Sequence, residues 1–136
     1  MNKSLKLNKS LDSILLTINI TLAILWIYQG LVPKIINHVI EEYIFWEFTG
    51  IEFLSLPTLV NISGIIEICF GILFLFFRKS QFLHLLNIVG LILLAGVVVV
   101  IYPQYFFYAF NPFVMNLGMI ILSVVSIRIL KLNSSI

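Results

Sequence analysis

Charge is what this sequence has least of. Only 10% of its 136 residues are Asp, Glu, Lys or Arg, against roughly 25% in soluble domains. Such sparse charge cannot solvate a globule, so lipid must cover much of the surface. Cys69 is the single cysteine, which excludes an intramolecular disulfide, a CxxC redox pair and a thiolate metal cage. The histidines are two, His38 and His84; they fall near opposite membrane faces, which argues against bis-histidine haem. A net charge of +2 with no basic stripe between aromatics gives nothing for nucleic acid to bind. There is no GxGxxG, P-loop, HExxH or GxSxG. Catalysis by a soluble-enzyme motif, a covalently bound cofactor and a metal centre are therefore not expected.

What the sequence has is hydrophobic runs, 61% of the residues being apolar. A span needs about 20 mainly apolar residues, and four stretches qualify: 13–32, 56–77, 82–102 and 112–130. The runs are continuous and do not alternate, which favours helices over barrel strands. The first follows Lys3, Lys6 and Lys9 as a signal peptide would, but it is long and no small-x-small cleavage site follows Trp26-Ile27-Tyr28. It reads as a retained helix. The expected fold is therefore all-α: one transmembrane domain over residues 1–136, an integral four-helix bundle. Lys3, Lys6, Lys9, Arg78, Lys79, Arg128 and Lys131 flank one face and only Lys34 the other. The positive-inside rule then puts both termini in the cytoplasm.

Proline and glycine are few and positioned. Pro33 and Pro103 are expected to close the first and third helices. Pro57 and Pro112 fall in the first turns of the second and fourth, behind the candidate N-caps Ser55 and Asn111. Both even helices read Pro-x-x-x-Asn, to Asn61 and Asn116, a weak internal repeat that chance explains equally well. Residues 33–55 are too long for a bare loop. Ile36, Val39, Ile40, Tyr43 and Trp46 recur there at helical spacing, which predicts a short amphipathic outer helix. The other outer connection, residues 102–110, is densely aromatic and reads first as an interfacial belt.

At 100° per residue each span shows one small-or-polar stripe: Asp12, Asn19, Ala23, Trp26 and Gly30; Asn61, Gly64, Glu67 and Gly71; His84, Asn87, Leu91, Ala95 and Tyr102; Pro112, Asn116, Met119 and Ser123. Helix packing in lipid accounts for most of these. His84 reads as an interfacial packing residue, His38 as solvated and Cys69 as an apolar filler. Glu67 stands apart. It lies about 15 Å from either end of its span, where a charged carboxyl costs several kcal/mol. With no Lys or Arg inside a span, it is expected to be protonated and bonded to Asn19, Asn61, Trp26 or water. Lys34 reads as too distant unless the outer segment folds inward. The alternative to that structural role is a ligand or proton site.

Three motifs also carry a resemblance. Trp26-Ile27-Tyr28-Gln29-Gly30-Leu31-Val32-Pro33-Lys34, Gly64-Ile65-Ile66-Glu67-Ile68-Cys69-Phe70-Gly71 and Phe110-Asn111-Pro112-Phe113-Val114-Met115-Asn116-Leu117 resemble, in order, the W-x-x-x-G-L-x-P-K, G-x-x-E-x-x-x-G and F-N-P-x-x-x-N-L elements of DoxX-like proteins. The resemblance implies a four-helix bacterial inner-membrane protein. It also implies a link to thiosulfate:quinone oxidoreduction or to membrane redox and thiol-stress complexes, with sites at Trp26, Gly30, Pro33, Lys34, Glu67, Asn111 and Asn116. The missing extra domain speaks against independent thiosulfate oxidation.

Three functions compete: an accessory that holds a quinone or another apolar molecule near Glu67 for a redox system, a small proton-coupled transporter using Glu67, and a scaffold for a redox-protein partner or a second copy. A quinone-linked thiol reductase is disfavoured, because one Cys cannot cycle as a dithiol. The first reading places the ligand in a cavity open to the outer half of the bundle. Trp26, Asn61 and Asn116 lie above its floor at Glu67, with Gly30 and Gly64 leaving room, the N-termini of the second and fourth helices at the mouth, and residues 35–47 as a lid; the resemblance adds Lys34 and Asn111 to the candidate site.

Overall fold

In the computed structural model, which describes residues 3–109 and 111–134 and side chains from Leu5 onward, four long apolar helices carry the chain. Phe110 and the Lys3 side chain therefore lie outside the described residues. Helix α1 spans Lys3–Gly30, α2 Ile40–Phe48, α3 Leu56–Phe76, α4 Gln81–Ile101 and α5 Pro112–Asn133. All four predicted spans are present. The described residues are helical or irregular, with no strand.

Pro33 does not end the first helix. The path continues from α1 through a π-helical turn, Leu31–Ile36. There the Asn37 N–H reaches back five residues to the Val32 carbonyl at 3.0 Å. Pro33 offers no N–H in any register, but the wider turn eases the clash between its ring and the preceding carbonyl that an α-helical register would impose. Lys34 therefore stays on a helical path. Pro103, by contrast, follows the end of α4 as expected and opens a short 3-10 turn, Pro103–Phe107.

Asn111 caps α5 as predicted, its Oδ1 accepting from the Phe113 N–H at 3.1 Å. Ser55 occupies the N-cap position of α3 without capping it; its hydroxyl pairs with that of Thr58 at 2.7 Å. Helix α2 is the short helix expected between the first two spans, bounded by two left-handed residues, His38 (φ 48°) and Gly50 (φ 68°).

The bundle pairs α1 with α3 and α4 with α5, and α1 also touches α5. Lys79 contacts Asp12 at 3.2 Å and Asn133 donates to Asp12 at 3.2 Å. The start of α1, the α3–α4 turn and the end of α5 thus share one end of the bundle, here the terminal end; α2 and the aromatic turn cover the other. Leu15, Leu22, Phe74, Leu91 and Met119 form the centre of the core. Large side chains such as Ile24, Ile66, Phe82, Leu93 and Val100 point outward, as a lipid-facing surface requires.

Candidate functional site

The α1–α3 seam is built on glycine. A Cβ placed on Gly30 would run into the Gly64 carbonyl oxygen, and one on Gly64 would lie 2.7 Å from the Gly30 carbonyl oxygen. Gly71 repeats this further along, where a Cβ would meet Trp26 Cβ at 2.9 Å. This is the small-residue contact by which apolar helices approach in lipid. It also arranges two charges. The Cβ of Glu67 lies 3.0 Å from the Cβ position of Gly30, and the Cβ of Lys34 lies 3.2 Å from that of Gly64. Each glycine leaves room for the stem of a charged residue on the facing helix.

Lys34 Nζ then donates to Glu67 Oε1 at 2.7 Å and also contacts Glu42 Oε2 on α2 at 3.4 Å. The three side chains are 9%, 12% and 15% exposed. This overturns the expectation that no cation reaches Glu67; of the residues expected to bond to it, Asn19 and Trp26 bond elsewhere. The reason is the π-turn: it carries Lys34 onward along the seam, and its aliphatic stem lies over Gly64 with the ammonium turned inward.

Lys34 and Glu67 line a cavity of about 70 Å³ at the α2 end. Every helix contributes to it, including Gln29 from α1, Glu42 from α2, Ala95 from α4 and Asn116 from α5, with Asn111 from the N-cap of α5 and Tyr105 from the aromatic turn. Glu67 Oε2, Gln29 Oε1 and Asn116 Oδ1 are buried there without a hydrogen-bond partner among the described residues. Burial, with the negative field of Glu42, Glu41 and Glu67, pushes the Tyr105 phenol up from its ordinary range. Outward, a groove of about 900 Å³ shares Gln29, Glu42, Tyr105, Asn111 and Pro112 with the cavity and adds Tyr28, Tyr108, Val114 and Met115. Of its aromatic residues, Tyr108 pairs its hydroxyl with that of Tyr102 at 3.0 Å and packs edge-on against Tyr105 at 5.9 Å.

Of the residues predicted from sequence, Glu67, Lys34, Asn111 and Asn116 meet at this cavity. Asn111 positions other groups, its amide donating to the carbonyls of Tyr108 at 2.9 Å and Phe106 at 3.2 Å. Gly30 and Gly64 sit in the seam instead of lining the cavity. Asn61 is half-buried on α3 and is not among the lining residues; the Pro-x-x-x-Asn repeat is therefore not reproduced in the site. Trp26 lies elsewhere. It packs against Gly71, nearer the terminal end than Glu67, which reverses the expected depth order.

Trp26 belongs to a second polar group. Its Nε1 donates to Asn87 Oδ1 at 2.8 Å, and Asn87 Nδ2 donates to Ser123 Oγ at 2.8 Å and the Met119 carbonyl at 3.3 Å. His84 Nδ1 is 3.3 Å from Ser123 Oγ. Because indole can only donate, the orientation of the Asn87 amide is fixed by its partners. His84 is fully buried, a packing residue in the first turn of α4. His38 is exposed as expected; Cys69 is exposed too, so it does not fill the bundle as expected but lies on the surface of α3.

Sequence reasoning missed Gln29, Glu42 and Tyr105. Gln29 is a polar residue inside a span, a signal hidden by its neighbour Gly30, which carries the stripe. Glu42 was legible only as the charge complement of Lys34.

Four apolar spans around a buried charged pair define an integral membrane protein. The model of the DoxX-like family matches residues 23–124, and the chain belongs to that family. No curated protein and no solved structure matches it.

Proposed function

We propose that this chain is the ligand-binding component of a membrane redox system. It takes a flat apolar molecule with an oxygen head, of the quinone type, in the groove at the α2 end, and the termini lie in the cytoplasm. The observation that carries the reading is that a roomy groove bordered by Tyr28, Tyr105 and Tyr108 shares Gln29, Glu42 and Asn111 with the small cavity that holds Lys34 and Glu67. Small-molecule sites have this form: a mostly apolar volume of roughly 300–1,000 Å³ with a few convergent polar groups. The cavity alone, about 70 Å³, is too small for a ring, so the ring belongs to the groove and the oxygen head faces the cavity. Lys34 has three N–H donors and two carboxylate contacts, leaving one for a carbonyl oxygen. Helix α2, set between left-handed His38 and Gly50, is the lid.

Binding is favoured over carriage because the Trp26–Asn87–Ser123–His84 network fills the bundle between the cavity and the terminal end. Electrons would come from a partner redox protein, since the lone Cys69 supplies no dithiol. The test is titration of the purified chain with a short-chain quinone, read by quenching of Trp46 on α2. Saturable quenching is expected, with affinity about tenfold lower in Lys34→Met and Gln29→Ala and unchanged in Trp26→Phe. Absence of a saturable response removes the proposal.

A further inference from the structure

The cavity at the Lys34–Glu67 pair sets two carboxyl groups against one cation. Glu67 and Glu42 share Lys34, at 2.7 Å and 3.4 Å, and all three side chains are 15% exposed or less. A second buried carboxylate without a cation of its own costs several kcal/mol, a cost met either by a proton on Glu67 or by a guest of charge +1. Its vacant donor atoms are of one kind. Gln29 and Asn116, 8% and 7% exposed, line the same cavity as Glu67, and each of the three has a buried oxygen without a hydrogen-bond partner among the described residues. The two amides could turn and offer nitrogen instead. A carboxylate oxygen beside a lysine cannot; it only accepts.

We propose that this cavity binds one alkali-metal cation of the sodium class, held by Glu67 Oε2, Gln29 Oε1 and Asn116 Oδ1. Carboxylate and amide oxygens suit hard cations, while soft metals want sulfur or imidazole. A volume of about 70 Å³ takes such an ion with one or two waters, each water needing about 30 Å³. A divalent ion would leave the site positive, and among the described residues no three His, Cys, Asp or Glu side chains are grouped to hold a metal. Lys34 occupies the other Glu67 oxygen and so fixes the carboxylate with Oε2 free. The ion sits in the cavity and the organic molecule proposed above in the groove, so this inference does not rest on that one.

The test is equilibrium binding of radioactive sodium to the full chain in detergent at pH 7, without quinone, with choline replacing sodium at constant ionic strength. One saturable site per chain is expected, together with a sodium-dependent rise in melting temperature that choline does not give. Gln29→Met and Asn116→Leu should each weaken binding at least tenfold, while Asn116→Asp, which keeps an oxygen, should retain it. Excess magnesium should not displace the ion. Absence of saturable sodium binding by the native chain overturns the proposal. So does unchanged affinity in folded Gln29→Met and Asn116→Leu variants, or displacement by equimolar magnesium.

Discussion

Gly30 and Gly64 face each other across the α1–α3 seam, each close enough to the other's carbonyl that no side chain fits between them. Because the obstacle is backbone, it cannot swing aside. Gly30→Ala is expected to destabilise the protein by about 1–3 kcal/mol and to push apart the stems of Lys34 and Glu67. Gly96, with nothing within 4 Å of a Cβ, is the control. Gly96→Ala should be neutral or stabilising by up to about 1 kcal/mol. Chemical unfolding in detergent reads both, and equal effects would contradict the seam.

Trp26 is held by Asn87, and this defines a second variant. Asn87→Leu removes the acceptor of the indole N–H and the donor to Ser123. Interhelical bonds in membranes contribute about 0.6–2 kcal/mol, so a loss of about 1–2 kcal/mol is expected. Quinone titration should be unchanged, because the network does not line the groove. A variant as stable as the native chain would mean that the indole finds another acceptor.

Orientation follows from the lysines and arginines gathered at the terminal end. Reporter fusions after Lys79 should behave as cytoplasmic, and fusions within residues 37–50 as external. The opposite pattern would invert the groove and place the proposed ligand on the cytoplasmic side.

Elements and site were unequally legible in the sequence. The spans were readable because a bilayer imposes length and hydropathy on every residue of a crossing. The stripes bearing Gly64, Glu67, Asn87 and Asn116 were readable from helical periodicity. What failed was the junction at Pro33. A proline normally ends a helix, and nothing local distinguishes a π-turn that carries the chain through it. With the helix ended there, Lys34 became an interfacial residue and Glu67 lost its partner. The depth of Trp26 failed differently: counting residues along separate spans does not give the offset between α1 and α3, which the glycine contacts set. Gln29, Glu42 and Tyr105 share no sequence motif and converge only when five helices and the aromatic turn close on one cavity.

The pairing of Lys34 with Glu67 is the centre of this account, and a double-mutant cycle on stability tests it most directly. Lys34→Met leaves two carboxylates without a cation, and should lower stability by about 3 kcal/mol, as breaking buried pairs does. Glu67→Gln leaves Lys34 its contact with Glu42 and should lower it less. Because Lys34 and Glu67 meet at 2.7 Å, the double variant should be more stable than the sum of the single losses implies, by about 1–3 kcal/mol. Strictly additive losses would show that the two side chains do not meet, and the cavity built around them would fall with the pair.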